Sequence, residues 1–272
     1  MLNRRPDGYH DIQSLMQKIA LFDILHLSKE GEGISLSCPG GSVSEGRDNL
    51  VYRAAEAFCR AAGIAPGFRL VLEKNIPVAA GLGGGSSDAA AVLAGLNTLS
   101  GANLDAGMLH EIGLTLGADV PFFLHPGSSS LATGIGEYLQ PVTPLRDYWI
   151  VLVNPGFALS TKWVYENFPL TSCSNPYILA PDLEGPGKFP TVPPESLEEI
   201  GNDLETVSIG RFAEIGDIKK ELKKTGAVAA LMSGSGPTVY GLFPGREEAQ
   251  SSFTRFARRY GDKVFLVRPY NP

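Results

Sequence analysis

The sequence predicts a two-domain α+β protein, and three observations support this fold class. Residues 81–87 hold four glycines and two serines, and they join an alternating strand at 68–72 to an alanine-rich helix. The chain beyond residue 146 follows the order strand, helices, hairpin, helix and strand, which is close to a ferredoxin-like domain. A length of 272 residues is enough for two domains that each bury a core.

The glycine-rich run at 81–87 has the composition of a phosphate-binding loop. Glycine and serine leave the backbone bare, so consecutive N–H groups can point into one concavity. The helix that starts near Ser86 adds the positive end of its dipole where a polyphosphate would rest. The preceding strand completes the strand, loop and helix order of a nucleotide site. The sequence therefore predicts phosphate binding, and the alternative is a flexible turn before a core helix.

The motifs exclude three other interpretations. A Walker A loop ends in Gly-Lys-Ser/Thr, and no lysine follows Gly85. A dinucleotide fingerprint that begins at Gly81 needs a third glycine where this chain has Ser86. A serine hydrolase needs Gly-x-Ser-x-Gly, which surrounds neither Ser86 nor Ser235. Residues 233–237 are interpreted instead as a hairpin loop, and one option is that this loop closes over the glycine-rich run.

Charge and composition restrict the partners. A net charge of −6 argues against a general surface for nucleic acid or anionic membrane, so we expect a small-molecule substrate. Residues 1–7 contain no apolar signal core, and apolar runs such as 227–232 are too short to span a bilayer. We therefore expect a cytoplasmic protein with no nucleic-acid or membrane partner. A separate expectation, which these observations do not decide, is a monomer or weak homodimer.

The cysteines predict neither a disulfide framework nor a metal site. Cys38, Cys59 and Cys173 are odd in number, far apart, and form no Cys-x-x-Cys pair. We expect them to be reduced.

The predicted elements follow from periodicity and from cap residues. Before residue 141 they are one or two strands within 12–27, a hairpin and loop at 31–46, a helix capped by Asp48 and Asn49 and ended near Gly63, the strand at 68–72, the Ser86 helix ended near Gly101, a helix from about Asp105 to Leu116, and a strand pair around 134–136.

Residues 141–146 are the candidate boundary between the domains. Beyond them the predicted elements are a buried strand at 149–153, a short helix from Ser160, a surface loop or linker at 174–194, helices at 195–207 and 217–224, strands at 227–232 and 239–243, a helix at 246–260 and a strand at 263–267.

Asp119 is the best placed candidate for a general base. It lies between a predicted helix end at Gly117 and a proline at position 121. Phosphoryl transfer to an alcohol needs a group that orients the hydroxyl and takes its proton. The alternative is a local cap on the amides of Gly117 or Val120, the commoner role for aspartate in such turns.

The pair Tyr9 and His10 could recognise a flat heterocycle. An aromatic face gives stacking contact, and an imidazole offers both a donor and an acceptor. The alternative, the more usual one for such a pair, is an exposed histidine in a turn. His26, His110 and His125 lie in unrelated predicted elements, so the sequence predicts no metal triad.

Three motifs together resemble the GHMP kinase superfamily. They are Arg5-Pro6-Asp7-Gly8-Tyr9-His10, Pro77-x-x-x-Gly-Leu-Gly-Gly-Gly-Ser-Ser-Asp-Ala-Ala and Gly117-Ala118-Asp119-Val120-Pro121-Phe122. In this order they resemble the branch that phosphorylates 4-diphosphocytidyl-2-C-methyl-D-erythritol, whereas the glycine-rich run alone would also fit mevalonate or homoserine kinases. The resemblance continues more thinly through 202–205 and 233–238.

The resemblance implies a two-domain GHMP kinase fold. An N-terminal, ribosomal-protein-S5-like ATP-binding domain would occupy residues 1–144, and a C-terminal ferredoxin-like domain would occupy 145–272. It also implies transfer of the ATP γ-phosphate to the 2-hydroxyl of 4-diphosphocytidyl-2-C-methyl-D-erythritol, in the non-mevalonate route to isopentenyl diphosphate, with magnesium accompanying the nucleotide.

The resemblance also assigns roles to individual residues. Asp119 would be the catalytic base, Tyr9 and Tyr165 would sandwich the cytosine, His10 would hydrogen-bond its edge, and Thr161 would line the pocket. Asn49 and Leu50 would border the adenine. The full set implied in ATP binding is Asn49, Leu50, Pro77, Val78, Ala79, Ala80, Gly81, Leu82, Gly83, Gly84, Gly85, Ser86 and Ser87.

One family feature has no match. The family opens with a strand containing Ala-Lys-x-Asn, whose lysine works beside the aspartate, and we expect this first strand to be missing from the chain. Lys18 and Lys74 belong to other motifs and are not expected to replace that lysine. A start site placed too far downstream is the favoured explanation. The alternative explanation is a genuinely shortened and catalytically impaired protein. As functions, the alternatives are a nucleotide-binding relative of impaired catalysis, or another small-molecule GHMP kinase.

Overall fold

The computed structural model describes residues 1, 3–6, 8–41, 43–169, 197 and 199–271, with the backbone alone at 3 and 4. The strands are β1 Asn3–Arg4, β2 His10–Gln17, β3 Ile24–Lys29, β4 Gly33–Ser37, β5 Gly67–Glu73, β6 Ser129–Gly134, β7 Tyr138–Pro141, β8 Trp149–Val153, β9 Ala229–Met232, β10 Val239–Phe243 and β11 Val264–Val267. The helices are α1 Leu50–Ala62, α2 Gly84–Ser100, α3 Ala106–Leu116, α4 Val120–Leu124, α5 Thr161–Glu166, α6 Glu205–Arg211, α7 Ala213–Lys224 and α8 Arg246–Tyr260.

The chain forms two compact units. The helical unit comprises residues 21–78 and 83–126, and the two-sheet unit comprises residues 1–20, 79–82 and 127–272. The family-based division at residues 144 and 145 follows chain order instead, and it stays a prediction.

The helical unit packs its helices beside a three-stranded sheet of order β3-β5-β4. β3 is antiparallel to β5, whereas β4 is parallel to it, with Ile34 paired to Phe68. The hairpin predicted within 31–46 is therefore wrong, because β4 pairs with a strand whose residues lie 34 positions downstream. The predicted loop is confirmed at residues 38–41 and 43–46. The core of this unit includes the fully buried side chains of Phe58 and Leu93.

The cap residues predicted for the helices of this unit are confirmed. Asn49 accepts a hydrogen bond from the Val51 amide at the start of α1, and Gly63 ends that helix in the left-handed conformation. Asp48 is the exception, because its carboxylate accepts from Ser44 Oγ at 2.6 Å and does not cap the helix. Asp105 accepts from the Met108 amide at the start of α3. α4 was not predicted, and its five residues follow Asp119 directly.

The two-sheet unit contains two antiparallel sheets. The first has the order β1-β2-β6-β7, and in it β1 is antiparallel to β2, with Arg4 paired to His10. The second has the order β11-β8-β10-β9, with α7 packed on β9 and β10 and with α8 packed on β8 and β11. This order confirms the predicted ferredoxin-like topology, and its core includes Val151, Ile218 and Phe256.

The helix predicted at 195–207 has the wrong bounds. α6 begins at Glu205 and runs to Arg211, because Asn202 forms a turn in which its side chain accepts from the Leu204 amide at 3.0 Å. Residues 195, 196 and 198, the predicted linker at 174–194 and Cys173 lie outside the described residues. Cys38 and Cys59, the cysteines that the structure does describe, are free and buried.

Candidate active site

The first turn of α2 forms the base of the candidate site. Its cap residue, Gly83, has a φ of 67° and supplies no side chain to cap the helix. Ser87 is the first residue of the helix whose amide reaches back, to the Gly83 carbonyl at 2.9 Å. The amides of Gly84, Gly85 and Ser86 therefore have no acceptor within the helix, and they stand at its positive end. Such an end attracts an anion.

The three consecutive glycines of this turn are bare for different reasons. A Cβ on Gly83 would lie 2.9 Å from the Phe123 ring, and one on Gly84 would lie 3.0 Å from Ile76 Cγ2. A Cβ on Gly85 would meet nothing within 4 Å, and this residue has no positive φ. Neither packing nor conformation requires glycine at position 85, so its bareness leaves space for a bound molecule.

Asp119 lies within residues 117–123, a segment that packs beside the start of α2. At one end of the segment, a Cβ on Gly117 would be 4.0 Å from Ser86 Oγ, and at the other end Phe123 packs on Gly83. The helical unit thus brings Asp119 to the same end of α2 as the free amides. Asp119 keeps an exposed surface, yet desolvation by the surrounding protein raises the pKa of its carboxyl.

The alternative role for Asp119, a local cap, is wrong. Its side chain makes no capping hydrogen bond. The Gly117 amide donates to the Gly113 carbonyl at 3.1 Å, and the Val120 amide donates to the Gly117 carbonyl at 3.1 Å. The carboxylate is therefore not used in the local turn.

Residues 79–82, the first half of the glycine-rich run and its approach, are held within the two-sheet unit. The Ala80 carbonyl accepts from the Thr238 amide at 3.3 Å, and the Gly81 carbonyl accepts from Ser233 Oγ at 2.8 Å. A Cβ on Gly81 would lie 2.3 Å from the Ser233 carbonyl oxygen, so this approach requires glycine. The option that the 233–237 hairpin loop closes over the run is confirmed at these residues.

The hairpin loop has a support of its own that the sequence analysis missed. Asn202 Nδ2 donates to the carbonyls of Met232 and Gly234 at 2.8 and 2.7 Å. Glu205 accepts from the Met232 amide at 2.7 Å, and its other oxygen pairs with Lys219. The family resemblance at 202–205 indicated that these residues matter. It did not indicate that Asn202 and Glu205 bind the hairpin loop.

The residues predicted to hold the cytosine lie in the two-sheet unit. His10 is buried at the start of β2, and its ring centroid is 5.5 Å from that of Tyr165. Tyr9 is 59% exposed. Thr161 is linked to Ser235 by a hydroxyl pair at 2.8 Å. The interpretation of His10 as an exposed turn residue is wrong, because β2 carries its ring into the protein.

The residues predicted beside the adenine have clear local contacts. Asn49 uses its side chain to cap α1 and to donate to the Ser44 carbonyl at 2.6 Å. Leu50 packs against the core of the helical unit. Their contact with a nucleotide stays a prediction.

The two lysines that were set aside have structural partners. Lys74 is buried and binds the carboxylates of both Asp23 and Asp88. Lys18 continues β2, where its amide donates to the Ser128 carbonyl at 2.7 Å. Both positions are consistent with the expectation that Lys18 and Lys74 do not take the role of the family's lysine.

Among the described residues, no three His, Cys, Asp or Glu side chains lie close enough together to hold a metal ion. Among the same residues, every helix is too short or too polar to cross a bilayer.

Comparison with known families gives matches in both halves of the chain. The profile described as "GHMP kinases N terminal domain" matches residues 49–127, and "GHMP kinases C terminal" matches residues 195–262. The first match includes α2 and Asp119, and the second includes the hairpin loop with its supporting residues.

Individual relatives extend this similarity over the full chain. A 4-diphosphocytidyl-2-C-methyl-D-erythritol kinase of Syntrophotalea carbinolica is 48% identical over 274 aligned positions, covering 100% of this chain and 94% of the relative. A crystal structure of 4-(cytidine 5'-diphospho)-2C-methyl-D-erythritol kinase is 33% identical, with a TM-score of 0.78 and coverage of 99% and 94%. A homoserine kinase from Cytophaga hutchinsonii shares the fold at 16% identity, with a TM-score of 0.63 and coverage of 97% of each chain.

Proposed function

Because this chain belongs to the 4-diphosphocytidyl-2-C-methyl-D-erythritol kinase family of the GHMP kinases, we propose that it phosphorylates 4-diphosphocytidyl-2-C-methyl-D-erythritol. It transfers the γ-phosphate of ATP to the 2-hydroxyl and releases ADP, a step of the non-mevalonate route to isopentenyl diphosphate. The observation that carries the proposal is the free first turn of α2 with Asp119 at the same helix end.

The nucleotide half of the reaction rests on the backbone. The amides of Gly84, Gly85 and Ser86 offer donors to phosphate oxygens, and the helix dipole favours the negative charge. The open space above Gly85 supports close approach of the phosphates to the main chain. The transition state of phosphoryl transfer is loose and mainly requires positioning and charge stabilisation, which such a turn supplies.

Asp119 has the chemistry of the base in this step. The 2-hydroxyl oxygen forms a bond to the γ-phosphorus while the bond to the β,γ-bridging oxygen breaks, and the hydroxyl proton passes to the Asp119 carboxylate. A raised carboxyl pKa supports this role, because a more basic carboxylate accepts a proton more readily. The absence of a local capping bond supports it also, because the carboxylate is available to the substrate.

The cytidine half of the substrate is assigned to the residues around β2 and α5. The adjacent rings of His10 and Tyr165 and the exposed ring of Tyr9 offer stacking surface and hydrogen-bonding groups for a pyrimidine. Thr161 contributes a hydroxyl at the start of α5. Adenine contact by Asn49 and Leu50 is proposed from the family resemblance.

Magnesium is expected with ATP and would neutralise charge on the β- and γ-phosphates. The start of α2 fits this ion, because the hydroxyl of Ser86 is an oxygen donor of the hard type that magnesium prefers. Few protein ligands would be required, since phosphate oxygens and water would supply the other oxygen donors. We also propose a cytoplasmic, monomeric or weakly dimeric protein, with the domain division at 144 and 145.

The proposal is tested by measuring ADP release with three alcohols. 4-Diphosphocytidyl-2-C-methyl-D-erythritol is expected to be the preferred substrate, with mevalonate and homoserine as the competitors. Preference for either competitor would assign the chain to another branch of the superfamily. ATP binding in a titration without ADP release from any of the three would identify a nucleotide-binding protein without turnover.

A further inference from the structure

A buried group of three charges underlies the first turn of α2. Lys74 Nζ lies 2.8 Å from Asp88 Oδ2 and also donates to Asp23. The side chains of Lys74, Asp23 and Asp88 are only 7%, 3% and 6% exposed. We call this group the ion triad. It is absent from the reaction proposed above, because both carboxylates engage the ammonium and none of the three is assigned to substrate.

The ion triad ties together the two ends of the glycine-rich segment. Lys74 follows β5, and Asp88 is the fifth residue of α2, so their bond closes the intervening residues 75–87 into a loop. Asp23 extends the tie, because its second oxygen accepts from the amides of Asn75 and Ile76 at 2.6 and 2.8 Å. The exit from β5 and the start of α2 are thereby fixed to the same three side chains.

The ammonium also lies beside the proposed phosphate-binding turn. A Cβ on Gly84 would lie 3.4 Å from Lys74 Nζ, so the lysine occupies the space next to the Gly84 backbone. Gly84 is the first residue of α2, whose amide is one of the proposed phosphate donors. Movement of Lys74 would therefore displace the turn.

Burying three charges is costly, and a buried ion group is weak evidence for stability by itself. Its geometric effect is clearer. A loop with many glycines has a large conformational freedom, which must be lost when it grips a phosphate. A tie at the base of the loop removes part of that freedom before the nucleotide arrives.

We propose that Lys74, Asp23 and Asp88 are positioning residues that hold the first turn of α2 in its phosphate-binding conformation. This inference rests on the proposed function, since it concerns the affinity of the same turn for ATP. The three side chains act through the Gly84 backbone and touch no substrate.

The deciding variant is Asp88→Asn, because asparagine matches aspartate in shape and keeps an acceptor for Lys74. We expect the KM for ATP to rise roughly tenfold, the effect of weakening one charge-assisted hydrogen bond. The KM for the alcohol should stay within about twofold, and kcat should fall less than the affinity for ATP. Lys74→Met should give the larger effect if it folds, because it removes both bonds and leaves two buried carboxylates.

Glu214→Gln is the matched control. It makes the same change of carboxylate to carboxamide in an interhelical cluster with Tyr260 and Arg259, among side chains that the proposal does not use. It should leave the KM for ATP unchanged. A folded Asp88→Asn protein with the wild-type KM for ATP would reject the positioning role. Failure of the wild-type protein to bind ATP would instead reject the proposed function.

Discussion

The two halves of the glycine-rich run are held by opposite kinds of interaction. Residues 79–82 are fixed by neutral hydrogen bonds, in which Ser233 and Thr238 donate to the carbonyls of Gly81 and Ala80. Residues 83–88 carry the free amides, and they are fixed by the ion triad and by the Phe123 ring. Neutral hydrogen bonds do not titrate between pH 4 and 8, whereas a buried carboxylate does. The comparison therefore separates a pH-independent support from a pH-dependent one.

The largest expected effect is on kcat, and it comes from Asp119, which lies outside both halves of the glycine-rich run. Asp119→Ala should lower kcat by roughly 10²–10⁴-fold, the usual contribution of a general base. Both halves of the run remain intact in this variant, so ATP should still bind. Turnover under saturating substrate and ATP affinity by titration check the two expectations. Wild-type turnover in this variant would reject Asp119 as the base.

Asp119→Asn adds a stability readout to the same test. The raised pKa means that the ionised carboxylate disfavours the folded state, so stability falls as pH rises through the ordinary range of aspartate. The neutral amide should therefore give an equal or higher melting temperature at pH 7.

Gly81→Ala tests the neutral half of the run. Gly81 has a φ of 73°, and its Cβ would collide with the Ser233 carbonyl. We expect a loss of roughly 2 kcal/mol or more in the free energy of unfolding, since the left-handed conformation alone costs about 1–2 kcal/mol. Urea unfolding measures this loss. An unchanged midpoint would show that the hairpin loop does not hold Gly81 in solution.

Gly85→Ala is the counterpart in the charged half. Its Cβ would enter open space, and alanine is the better helix former by about 1 kcal/mol. We expect equal or greater stability but a KM for ATP raised roughly tenfold, as for one lost hydrogen bond to a charged group. Unimpaired ATP binding would show that the phosphates do not approach this residue.

The smallest effect is a pH dependence of stability. Burial, opposed by Lys74 and reinforced by Asp23, raises the pKa of Asp88 to about 6. The folded protein then holds a proton that the unfolded chain releases near pH 4, so stability falls as pH rises from about 4 to about 6. Above that window this contribution is constant. The difference in unfolding free energy between wild type and Asp88→Asn should follow this course.

A Ser233→Ala protein supplies the contrast for this measurement. It loses one neutral hydrogen bond, worth about 1 kcal/mol. Its difference from the wild type should be the same at every pH between 4 and 8. A parallel drift in both differences would mean that the two halves of the run are not supported in different ways.

Local signals predicted much of the fold. Asn49, Gly63 and Asp105 mark helix ends because caps depend on neighbouring residues alone. Pairings over long distances could not be read in this way, as β4 shows by its parallel pairing with β5. The same reason explains why the ion triad was missed, since Asp23 and Lys74 are 51 positions apart.

The candidate site shows the same difference between features set by neighbouring residues and features set by distant ones. The free amides of α2 follow from Gly83, Gly84 and Gly85, which are adjacent in sequence. The burial of His10 and its contact with Tyr165 depend on residues from distant parts of the chain. The residues next to His10 in sequence therefore favoured an exposed turn. In the structure, His10 lies in β2 and is buried.

The hairpin loop makes two separate side-chain contacts. Ser235 pairs with the hydroxyl of Thr161, and Ser233, two residues earlier, donates to the Gly81 carbonyl. Surface hairpins ordinarily tolerate added residues. Here a residue inserted between Ser233 and Ser235 would shift one of their two hydroxyls away from its partner. The number of residues between Ser233 and Ser235 is therefore fixed by these two contacts. We expect insertions or deletions there to be tolerated less well than substitutions.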